Sequence, residues 1–517
     1  MKYLAIHNSL QAGAALSIDN KIIGAISEER ITRIKDHHTF PHESIQALLK
    51  LAKIDLTDVD KIIYGMVTSV VPEQNTLEKL LEDFELLASK SKILGTKARE
   101  RISSEAAWNK KHLDELYEWA KSENVLDRLI FVDHHLSHAS GAYFHSPYDD
   151  ALIFTCDGKG NFKSSCIFHG DGKKIKELEF NTTFKSIGYF YGNITKALGY
   201  KSERHEGKIT GLAAYGNPDN VKHITNKILY FEDGNLKLDH GSMYLPWFVE
   251  KEDLPVFYET INKYEPADVA AAAQETVEEA ICEWITYSIK KYGNNQPTNI
   301  CLSGGVFANV KLNQKINELA NVKSLFIQPA MGDMGIPLGS LLYELSKEKS
   351  FQKKYQKTMS LGNTIQLEEH EIISLSKQFN ICKINNFASD VIELIKNDKI
   401  VGLVQGRAEY GPRALCNRSI IYHCKDQTIN TWLNERLNRT EFMPFAPVTT
   451  LEMAEKVFIN FEKSQMAADF MTITYRVSED FKNNCPAAVH VDGTARPQIV
   501  RKENNIQMHE LLTAFFK

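Results

Sequence analysis

Four of the chain's 17 histidines lie within one short segment, VDHHLSHASGAYFHS, at residues 132–146. They are His134, His135, His138 and His145. His134 and His138 are four residues apart, so on one helix they lie on one face and can direct two imidazoles at a single ion. A turn with one or two hydrogen-bonded core imidazoles explains the same composition, and both interpretations stand at this point.

Two carboxylates follow apolar runs that are typical of buried strands. ALIFTCDGKGN leads into Asp157, and SLFIQPAMGDMGIPLGS leads into the glycine-flanked Asp333. Proteins of the α/β class place ligand-binding groups at strand ends, where glycine lets a ligand approach the backbone. Two histidines with one or two aspartates suit iron(II), manganese or zinc, so we expect a metal site formed by these residues.

A second group of polar residues lies near the C-terminus. Arg407, Arg413 and Arg418 fall within 12 residues, interleaved with glycine and proline after a strand-like run. Guanidinium groups bind phosphate in a bidentate manner, so the cluster favours an oxyanion pocket, while a solvated loop with surface ion pairs is the alternative. The same region offers further polar candidates: Asn417, Arg439, His490 and Arg496.

The elements that must position these groups alternate between strand and helix. The first 35 residues predict three strands, with a tight hairpin at Asp19 and Asn20. One apolar helical face extends over 267–291, between Pro266 and Gly293. The run NICLSGGVFANVKLN then predicts a strand, a glycine turn and a helix, where Gly304 and Gly305 could hold a phosphate or sugar edge. A simple tight turn explains the two glycines equally well.

The length and composition of the chain limit the classes of protein to which it can belong. A chain of 517 residues predicts two or more domains, and we place them at 1–350 and 361–517, joined by the basic segment 346–360. The net charge of −5 gives no reason to expect a nucleic-acid partner. Eight cysteines without a CxxC pair predict reduced thiols, and the absence of an apolar run of signal or membrane-spanning type predicts a cytoplasmic protein without a membrane partner.

Segments along nearly the whole chain resemble one family. They are SEERITRIKDHHTFP, HHLSHASGAYF, EGKITGLAAYG, ADVAAAAQ, GGVFANVKLN, GDMGIPLG, GRAEYGPRALCNRSI, MPFAP and HVDGTAR. Together they are similar to the nodulation-protein and cephem carbamoyltransferases, which include antibiotic O-carbamoyltransferases. The resemblance implies an α/β fold with a duplicated actin-like (ASKHA, RNase H-like) N-terminal core, similar to the tRNA threonylcarbamoyl-transfer enzymes, and a YrdC-like C-terminal domain.

The resemblance also implies a reaction. The C-terminal domain is expected to activate carbamoyl phosphate with ATP and Mg²⁺, giving carbamoyl adenylate and pyrophosphate, and the N-terminal domain to transfer the carbamoyl group to a hydroxyl of a small-molecule or saccharide acceptor. Because these positions match the family's motifs, the resemblance also implies that iron(II) is held by His134, His138, Asp157 and Asp333. His134, His138, Lys208, Arg413 and Arg418 are the expected catalytic residues. The expected cofactor contacts are Gly304, Gly305, Asn309, Gly335, Arg407, Arg413, Asn417, Arg418, Arg439, His490 and Arg496.

Several positions depart from the family pattern. Leu10 and Gln11 replace a His-Asp pair, Met443 replaces an arginine, and Cys416 replaces a glycine. The chain stops at Lys517, before an Asn-Thr-Ser-Phe-Asn strand, so we expect a shortened C-terminal domain that activates carbamoyl phosphate poorly without a partner chain or an oligomer contact. The alternatives are an impaired member that acts as a scaffold and a sugar-kinase-like phosphotransferase. Homo-oligomerisation is a further expectation.

Overall fold

The structure is a computed structural model, and it describes residues 1–239, 241, 243–245, 247, 251–437 and 442–516. The N-terminal region begins with strands and a helical insertion, followed by the helix that carries the four histidines. In chain order the elements are β1 (Lys2–His7), β2 (Gly13–Ile18), β3 (Lys21–Ser27), α1 (Glu29–Thr32), α2 (His42–Ala52), β4 (Lys61–Tyr64), α3 (Gln74–Lys90), α4 (Lys92–Ser122), β5 (Leu129–Phe131) and α5 (His134–His145).

The first five strands form one sheet in the order β3-β2-β1-β4-β5. The pairs β1/β2 and β2/β3 are antiparallel, whereas β1/β4 and β4/β5 are parallel. The hairpin between β2 and β3 turns at Asp19 and Asn20, whose φ angles are 48° and 63°. Aspartate and asparagine tolerate the left-handed backbone that a two-residue hairpin requires. The three strands predicted for the first 35 residues are therefore confirmed.

A second unit follows, with two long β-hairpins and the longest apolar helix of the sequence. Its elements are β6 (Asp150–Gly160), β7 (Lys163–Asp171), β8 (Lys174–Thr182), α6 (Ile187–Ala197), α7 (Glu206–Leu212), α8 (Lys222–Ile228), β9 (Leu229–Glu232), β10 (Asn235–Leu238), α9 (Pro255–Ile261), α10 (Pro266–Tyr292), β11 (Thr298–Ser303), α11 (Val310–Glu318), β12 (Val322–Ile327) and α12 (Ile336–Ser346).

The main sheet of this unit repeats the topology of the first sheet. Its order is β12-β11-β6-β7-β8, with antiparallel β6, β7 and β8, and with β11 and β12 parallel to β6. Three antiparallel strands followed by two parallel strands thus occur twice, which confirms the duplicated actin-like core. The predicted long helix is confirmed as α10, with Pro266 in its first turn and Gly293 at its C-cap.

The C-terminal region is also of mixed α/β type, as predicted. Its elements are α13 (Glu369–Ser376), α14 (Phe387–Lys396), β13 (Val401–Val404), β14 (Arg418–Ile421), α15 (Thr428–Arg436), β15 (Val448–Thr450), α16 (Leu451–Val457), α17 (Gln465–Ala468), β16 (Tyr475–Arg476), α18 (Glu479–Asn484), β17 (Thr494–Ala495), β18 (Gln498–Val500) and α19 (Ile506–Phe516). Its strands pair as β13/β14, β15/β18 and β16/β17. The specific likeness to YrdC stays a prediction.

The C-terminal region shares buried apolar side chains with the N-terminal region. Phe458, Phe461 and Tyr475 belong to the same buried cluster as residues of α10, β11 and β12. The basic segment 346–360 packs against the protein, because Phe351 and Met359 are buried within the cluster that contains α12. The two halves therefore meet over an extensive apolar contact.

Among the described residues, no helix combines the length and the apolar character that crossing a membrane requires.

Candidate functional site

Helix α5 presents two histidines at the edge between the two sheets. The helix begins at His134, because Asp133 caps it by accepting a hydrogen bond from the Leu136 amide at 3.0 Å. His134 and His138 are thus one turn apart, and both are buried. The helical spacing that suggested a shared ion is confirmed.

The two predicted carboxylates meet these histidines from the second sheet. Asp157 lies where the β6/β7 pairing shifts register, between Cys156 and Gly160, and Asp333 lies in the loop after β12. The His138 Nε2 atom is 3.2 Å from Asp157 Oδ2 and 3.5 Å from Asp333 Oδ1, and His134 Nε2 is 3.7 Å from Asp333 Oδ1. One ligand atom from each of the four residues lies within 4.8 Å of the others. The structure therefore brings the four predicted ligands together.

The polar atoms of this cluster fit a divalent cation. Nε2 of His134, Nε2 of His138 and Oδ1 of Asp333 are buried, and none of the described residues gives them a hydrogen-bond partner. Unpaired buried polar atoms are costly, and an ion would satisfy all three. Two imidazole nitrogens and two carboxylate oxygens suit zinc, manganese or iron(II), and the identity of the metal does not follow from this donor set.

Neighbouring groups orient the ligands. His138 Nδ1 is 3.2 Å from Ser303 Oγ, which leaves Nε2 directed at the two carboxylates. Asp157 accepts hydrogen bonds from the amides of Gly158 at 2.7 Å and Gly305 at 3.2 Å. Such contacts fix the orientation of a metal ligand.

The pKa values of the clustered residues are shifted in different directions. Burial lowers the pKa of His138, but the nearby carboxylates of Asp157 and Asp333 outweigh it and raise the value to about 9. Burial lowers the pKa of His134 below its usual range, although Asp333 opposes this effect. Burial acts to raise the pKa of Asp157, but His138 holds it well below its usual range. Without a metal, His138 therefore carries the proton that a cation would displace.

The other two histidines of α5 are buried and hydrogen-bonded. His135 Nδ1 is 2.9 Å from Thr155 Oγ1, and His145 Nδ1 is 3.2 Å from Gln328 Oε1. Burial lowers the pKa of His135 to about 3 and that of His145 to about 4. Both rings are therefore neutral at physiological pH.

The predicted glycines stand next to the cluster, where backbone segments approach closely. Gly304 has a φ of 101°, and a Cβ atom there would lie 2.2 Å from the Cys156 carbonyl oxygen. A Cβ atom at Gly335 would lie 2.0 Å from the carbonyl oxygen of Ala330. Asn309 caps α11 through the Leu312 amide at 3.1 Å. These positions have structural roles, and their contacts with a nucleotide or substrate stay predictions.

Two further residues near the cluster were missed by the sequence reasoning. Lys159 follows Asp157 by two residues, and its Nζ lies 4.0 Å from the centroid of the Trp108 ring. Burial lowers the pKa of Lys159 to about 8. Burial raises the pKa of Glu203, and Asp333 adds to the rise while Lys159 opposes it. Lys159 lies near the end of β6, between Gly158 and Gly160, and nothing in the local sequence marks it as part of a site.

Lys208, predicted to be catalytic, lies on α7 and is half-buried. Its Nζ is 5.9 Å from the centroid of the Tyr200 ring. The neighbouring loop contacts the N-terminal hairpin region, because Arg204 Nε is 3.4 Å from Asp36 Oδ2. Lys208 therefore lies on a segment of the N-terminal region that also contacts the loop after α1.

The arginine loop, residues 405–418, is organised by one buried carboxylate. Glu409 accepts backbone hydrogen bonds from Leu415 at 2.7 Å, Asn417 at 2.8 Å and Arg418 at 3.1 Å. Glu409 is 6% exposed, so its negative charge is balanced mainly by these amides. This organising role was not predicted from the sequence.

The guanidinium groups of this loop hold backbone carbonyls. Arg407 donates to the carbonyl oxygens of Ile23 and Gly362, each at 2.8 Å, and thereby joins the loop to β3. Arg418 donates to Gln405 O at 2.7 Å and to Gly406 O at 3.3 Å. Phosphate binding by these residues stays a prediction.

Of the remaining predicted residues, His490 contacts the N-terminal region through Tyr215. Arg413 and Arg496 are half-buried. His490 is buried, with Nδ1 3.5 Å from Asp492 Oδ1 and its ring 5.8 Å from that of Tyr215. Arg439 lies outside the described residues.

A polar cavity of about 290 Å³ opens beside the arginine loop. Its polar lining includes Ser360, Gln405, Arg407, Asn417, Gln498 and Arg501. The loop also touches the metal cluster, because Tyr410 donates a hydrogen bond to the carbonyl of Met334, the residue after Asp333. The arginine loop and the metal ligands are therefore adjacent in space.

Comparison with known proteins identifies the family. Residues 2–342 match the family described as carbamoyltransferase N-terminus, and residues 392–517 match carbamoyltransferase C-terminus. The chain belongs to the carbamoyltransferase family. The resemblance inferred from the sequence motifs is thereby confirmed, and membership makes this protein a transferase. The matched segments fall inside the predicted domains 1–350 and 361–517, whose limits stay a prediction.

Three named relatives illustrate the similarity of this carbamoyltransferase. Nodulation protein NolNO of Sinorhizobium fredii is 31% identical over 98% of the chain and 72% of the relative. Nodulation protein NolO of Bradyrhizobium diazoefficiens is 30% identical over 75% of the chain and 70% of the relative. The 3'-hydroxymethylcephem-O-carbamoyltransferase of Amycolatopsis lactamdurans is 28% identical over 60% of the chain and 55% of the relative.

Two solved structures share more distant similarity with the carbamoyltransferase. HypF of T. kodakarensis matches with a TM-score of 0.38 and 14% identity over 66% of this chain and 47% of that one. Component A of the Acidaminococcus fermentans (R)-2-hydroxyglutaryl-CoA dehydratase matches with a TM-score of 0.36 and 15% identity over 67% of this chain and all of that one.

The positions that depart from the family pattern have defined local surroundings in this carbamoyltransferase. Gln11 Oε1 accepts a hydrogen bond from the Met334 amide at 3.4 Å, beside Asp333. Cys416 has a φ of 72°, in the region that glycine adopts most easily. Met443 borders Gly211, where an added Cβ atom would lie 2.9 Å from Met443 Cγ.

Proposed function

We propose that this carbamoyltransferase activates carbamoyl phosphate with ATP and transfers the carbamoyl group to a hydroxyl of a small-molecule or saccharide acceptor. In the first half-reaction, water splits carbamoyl phosphate into carbamate and phosphate, and the carbamate oxygen attacks the α-phosphorus of ATP. Carbamoyl adenylate forms and pyrophosphate leaves. In the second half-reaction, the acceptor oxygen attacks the carbamoyl carbon, AMP leaves, and the hydroxyl proton is released.

The arginine loop and its cavity suit the first half-reaction. Adenylation brings ATP and carbamoyl phosphate together, and their negative charges must be neutralised. Arg413 and Arg418 are the cations on this loop that we assign to the phosphates. ATP binding with Mg²⁺ is part of the same proposal. For Arg418 to bind phosphate, its guanidinium must exchange carbonyl partners such as Gln405 O for phosphate oxygens.

The buried His–Asp cluster suits the second half-reaction. His134, His138, Asp157 and Asp333 would hold a divalent metal, iron(II) in our proposal, and the metal would supply Lewis acidity for the carbonyl. Ser303 and Gly305 hold the ligands in orientation through His138 and Asp157.

Charged side chains near the cluster would position the adenylate and the acceptor. Lys159 and Lys208 are the cations assigned to the adenylate phosphate. Glu203, whose side chain is exposed to solvent, is the carboxyl assigned to accept the acceptor's hydroxyl proton, because partial desolvation and the nearby Asp333 raise its pKa. These assignments place transfer in the N-terminal region.

One observation carries the proposal. Four ligand atoms from three distant parts of the chain converge in a buried cluster, and the arginine loop contacts that cluster through Tyr410 and Met334. A transferase with separate activation and transfer centres needs both sites and a short path between them. Family membership and the name of the cephem O-carbamoyltransferase relative support carbamoyl transfer over sugar-kinase-like phosphotransfer.

The two half-reactions can be measured separately. Pyrophosphate release should require both ATP and carbamoyl phosphate, and presynthesised carbamoyl adenylate should release AMP faster when a hydroxyl acceptor is added. Labelled carbamoyl phosphate should place its label in an O-carbamoyl product. Pyrophosphate release that does not need carbamoyl phosphate, or γ-phosphate transfer to the acceptor, would contradict the proposal.

A further inference from the structure

Two cysteines far apart in the sequence are adjacent in the C-terminal region. Cys424 lies three residues after β14, and Cys485 is the C-cap of α18. The turn that follows Cys485 is held against the segment 424–430 by three hydrogen bonds. They join the Ala487 amide to Cys424 O at 3.1 Å, Gln427 Nε2 to Pro486 O at 3.3 Å, and Asn430 Nδ2 to Ala487 O at 2.9 Å.

The side chains complete this contact. The backbone contacts hold the two thiols close enough for each to shift the pKa of the other. Both side chains are partly exposed, so a small solute can reach them. Contact between two accessible sulfurs is the arrangement that disulfide formation requires.

The environment distinguishes this pair from the other cysteines. The hydrogen bond from Cys485 lowers the pKa of Cys424, and the same bond raises that of Cys485. Burial raises the pKa of Cys156, Cys166, Cys301 and Cys416, and raises that of Cys282 to about 12. Since the thiolate is the nucleophile, Cys424 is the better attacking group.

We propose that Cys424 and Cys485 form a dithiol that hydroperoxides oxidise to an intramolecular disulfide. The Cys424 thiolate attacks the peroxide oxygen and becomes a sulfenic acid, and the peroxide loses hydroxide, or an alkoxide that takes up a proton from water when the peroxide is organic. The Cys485 sulfur then attacks the Cys424 sulfur, and water leaves. Overall, two thiols lose two electrons and two protons, and hydrogen peroxide is reduced to two waters.

The bond would link the segment after β14, the strand that continues the arginine loop, to the C-terminal end of α18. β14 begins at Arg418, and Cys424 follows that strand, so the disulfide would tie the end of this strand to α18. The inference concerns the thiol chemistry of the chain and does not depend on carbamoyl transfer.

Peptide mapping of the full-length protein tests the proposal. The reduced protein is treated with hydrogen peroxide, quenched with catalase, alkylated and digested with trypsin without reduction. We expect the peptide 419–425 to be joined to 483–501 by a disulfide. The cross-link should persist in Cys382→Ser, which removes an exposed cysteine, and should be absent from Cys424→Ser and Cys485→Ser.

A second measurement separates the role of Cys424, which attacks the peroxide, from that of Cys485, which closes the disulfide. In Cys485→Ser the sulfenic acid at Cys424 should accumulate and react with a dimedone probe, whereas in the wild type it should be consumed by Cys485. Matching melting temperatures would show that the serine variants are folded. If Cys382 is oxidised while Cys424 and Cys485 remain alkylated, or if the cross-link joins other cysteines, the proposal is wrong.

Discussion

The hydroxyl of Tyr410 donates a hydrogen bond to the carbonyl oxygen of Met334. Tyr410 belongs to the arginine loop, whereas Met334 follows the metal-ligand candidate Asp333. A second bond supports the contact, from Arg30 Nη2 to the carbonyl of Gly411 at 2.8 Å. The two candidate sites are therefore joined by hydrogen bonds between the two regions of the chain.

Replacing Tyr410 with Phe should weaken this junction. The change removes the hydroxyl donor to the buried Met334 carbonyl, at a cost of about 1 kcal/mol in the free energy of unfolding. Denaturant unfolding and metal retention during dialysis would measure the effect. Tyr422→Phe is a matched control, because Tyr422 hydrogen-bonds only the exposed Asp398 at 3.5 Å. Equal stability of both variants and unchanged metal retention would show that the contact is unimportant.

The variant His138→Ala should lose bound metal and carbamoyl transfer. His138 contacts both carboxylates of the cluster, so its removal takes away one of four ligands. Metal content by mass spectrometry and AMP release from carbamoyl adenylate should both fall, while pyrophosphate release should persist. His169→Ala is the control, since His169 lies near the surface and pairs with Asp150. Retention of both metal and transfer in His138→Ala would refute the site assignment.

The variant Arg418→Ala should impair adenylate formation. Loss of one desolvated guanidinium–phosphate pair should cost on the order of 2–5 kcal/mol of binding free energy. Pyrophosphate release in the presence of ATP and carbamoyl phosphate is the assay, with a melting temperature as a check on folding. The exposed Arg476→Ala serves as control. Unchanged kinetics in Arg418→Ala would favour the alternative of a solvated basic loop.

The variant Lys159→Met should slow transfer and leave metal content unchanged. Methionine keeps the packing of the side chain on Trp108 but removes the charge assigned to the adenylate phosphate. We expect a loss on the order of tenfold in AMP release, equivalent to about 1.4 kcal/mol.

Lys208→Ala should likewise slow transfer more than pyrophosphate release. Equal losses in both half-reactions would contradict the proposed division between the two regions.

Asp469 should make stability depend on pH. Burial raises its pKa from 3.8 to about 6, although Arg501 at 2.7 Å opposes the rise. A carboxyl with a raised folded-state pKa contributes stability below its unfolded pKa, and that contribution is lost as the pH rises through about 6. The loss is on the order of 3 kcal/mol. The unfolding free energy of the wild type should therefore fall between pH 4 and 6 relative to that of Asp469→Asn. A constant difference between the two proteins would overturn this expectation.

The sequence by itself determined the local features of this carbamoyltransferase. Alternating apolar residues and the Asp19-Asn20 turn specified the first hairpins, and one apolar face specified α10, because both patterns act over a few neighbouring residues. The spacing of His134 and His138 and the strand-end positions of Asp157 and Asp333 likewise followed from local periodicity. Motif resemblance supplied the family, which the comparison confirms.

Tertiary structure alone decided which distant groups meet. Nothing local distinguishes Lys159 from the other lysines, or Cys424 and Cys485 from the remaining cysteines, because their environment depends on segments 50 or more residues away. The arginines looked free to bind phosphate, yet Arg407 and Arg418 hold carbonyl oxygens that only the folded loop brings within reach. Hydrogen bonds and burial act through space, so these contacts exist only once the two regions pack together.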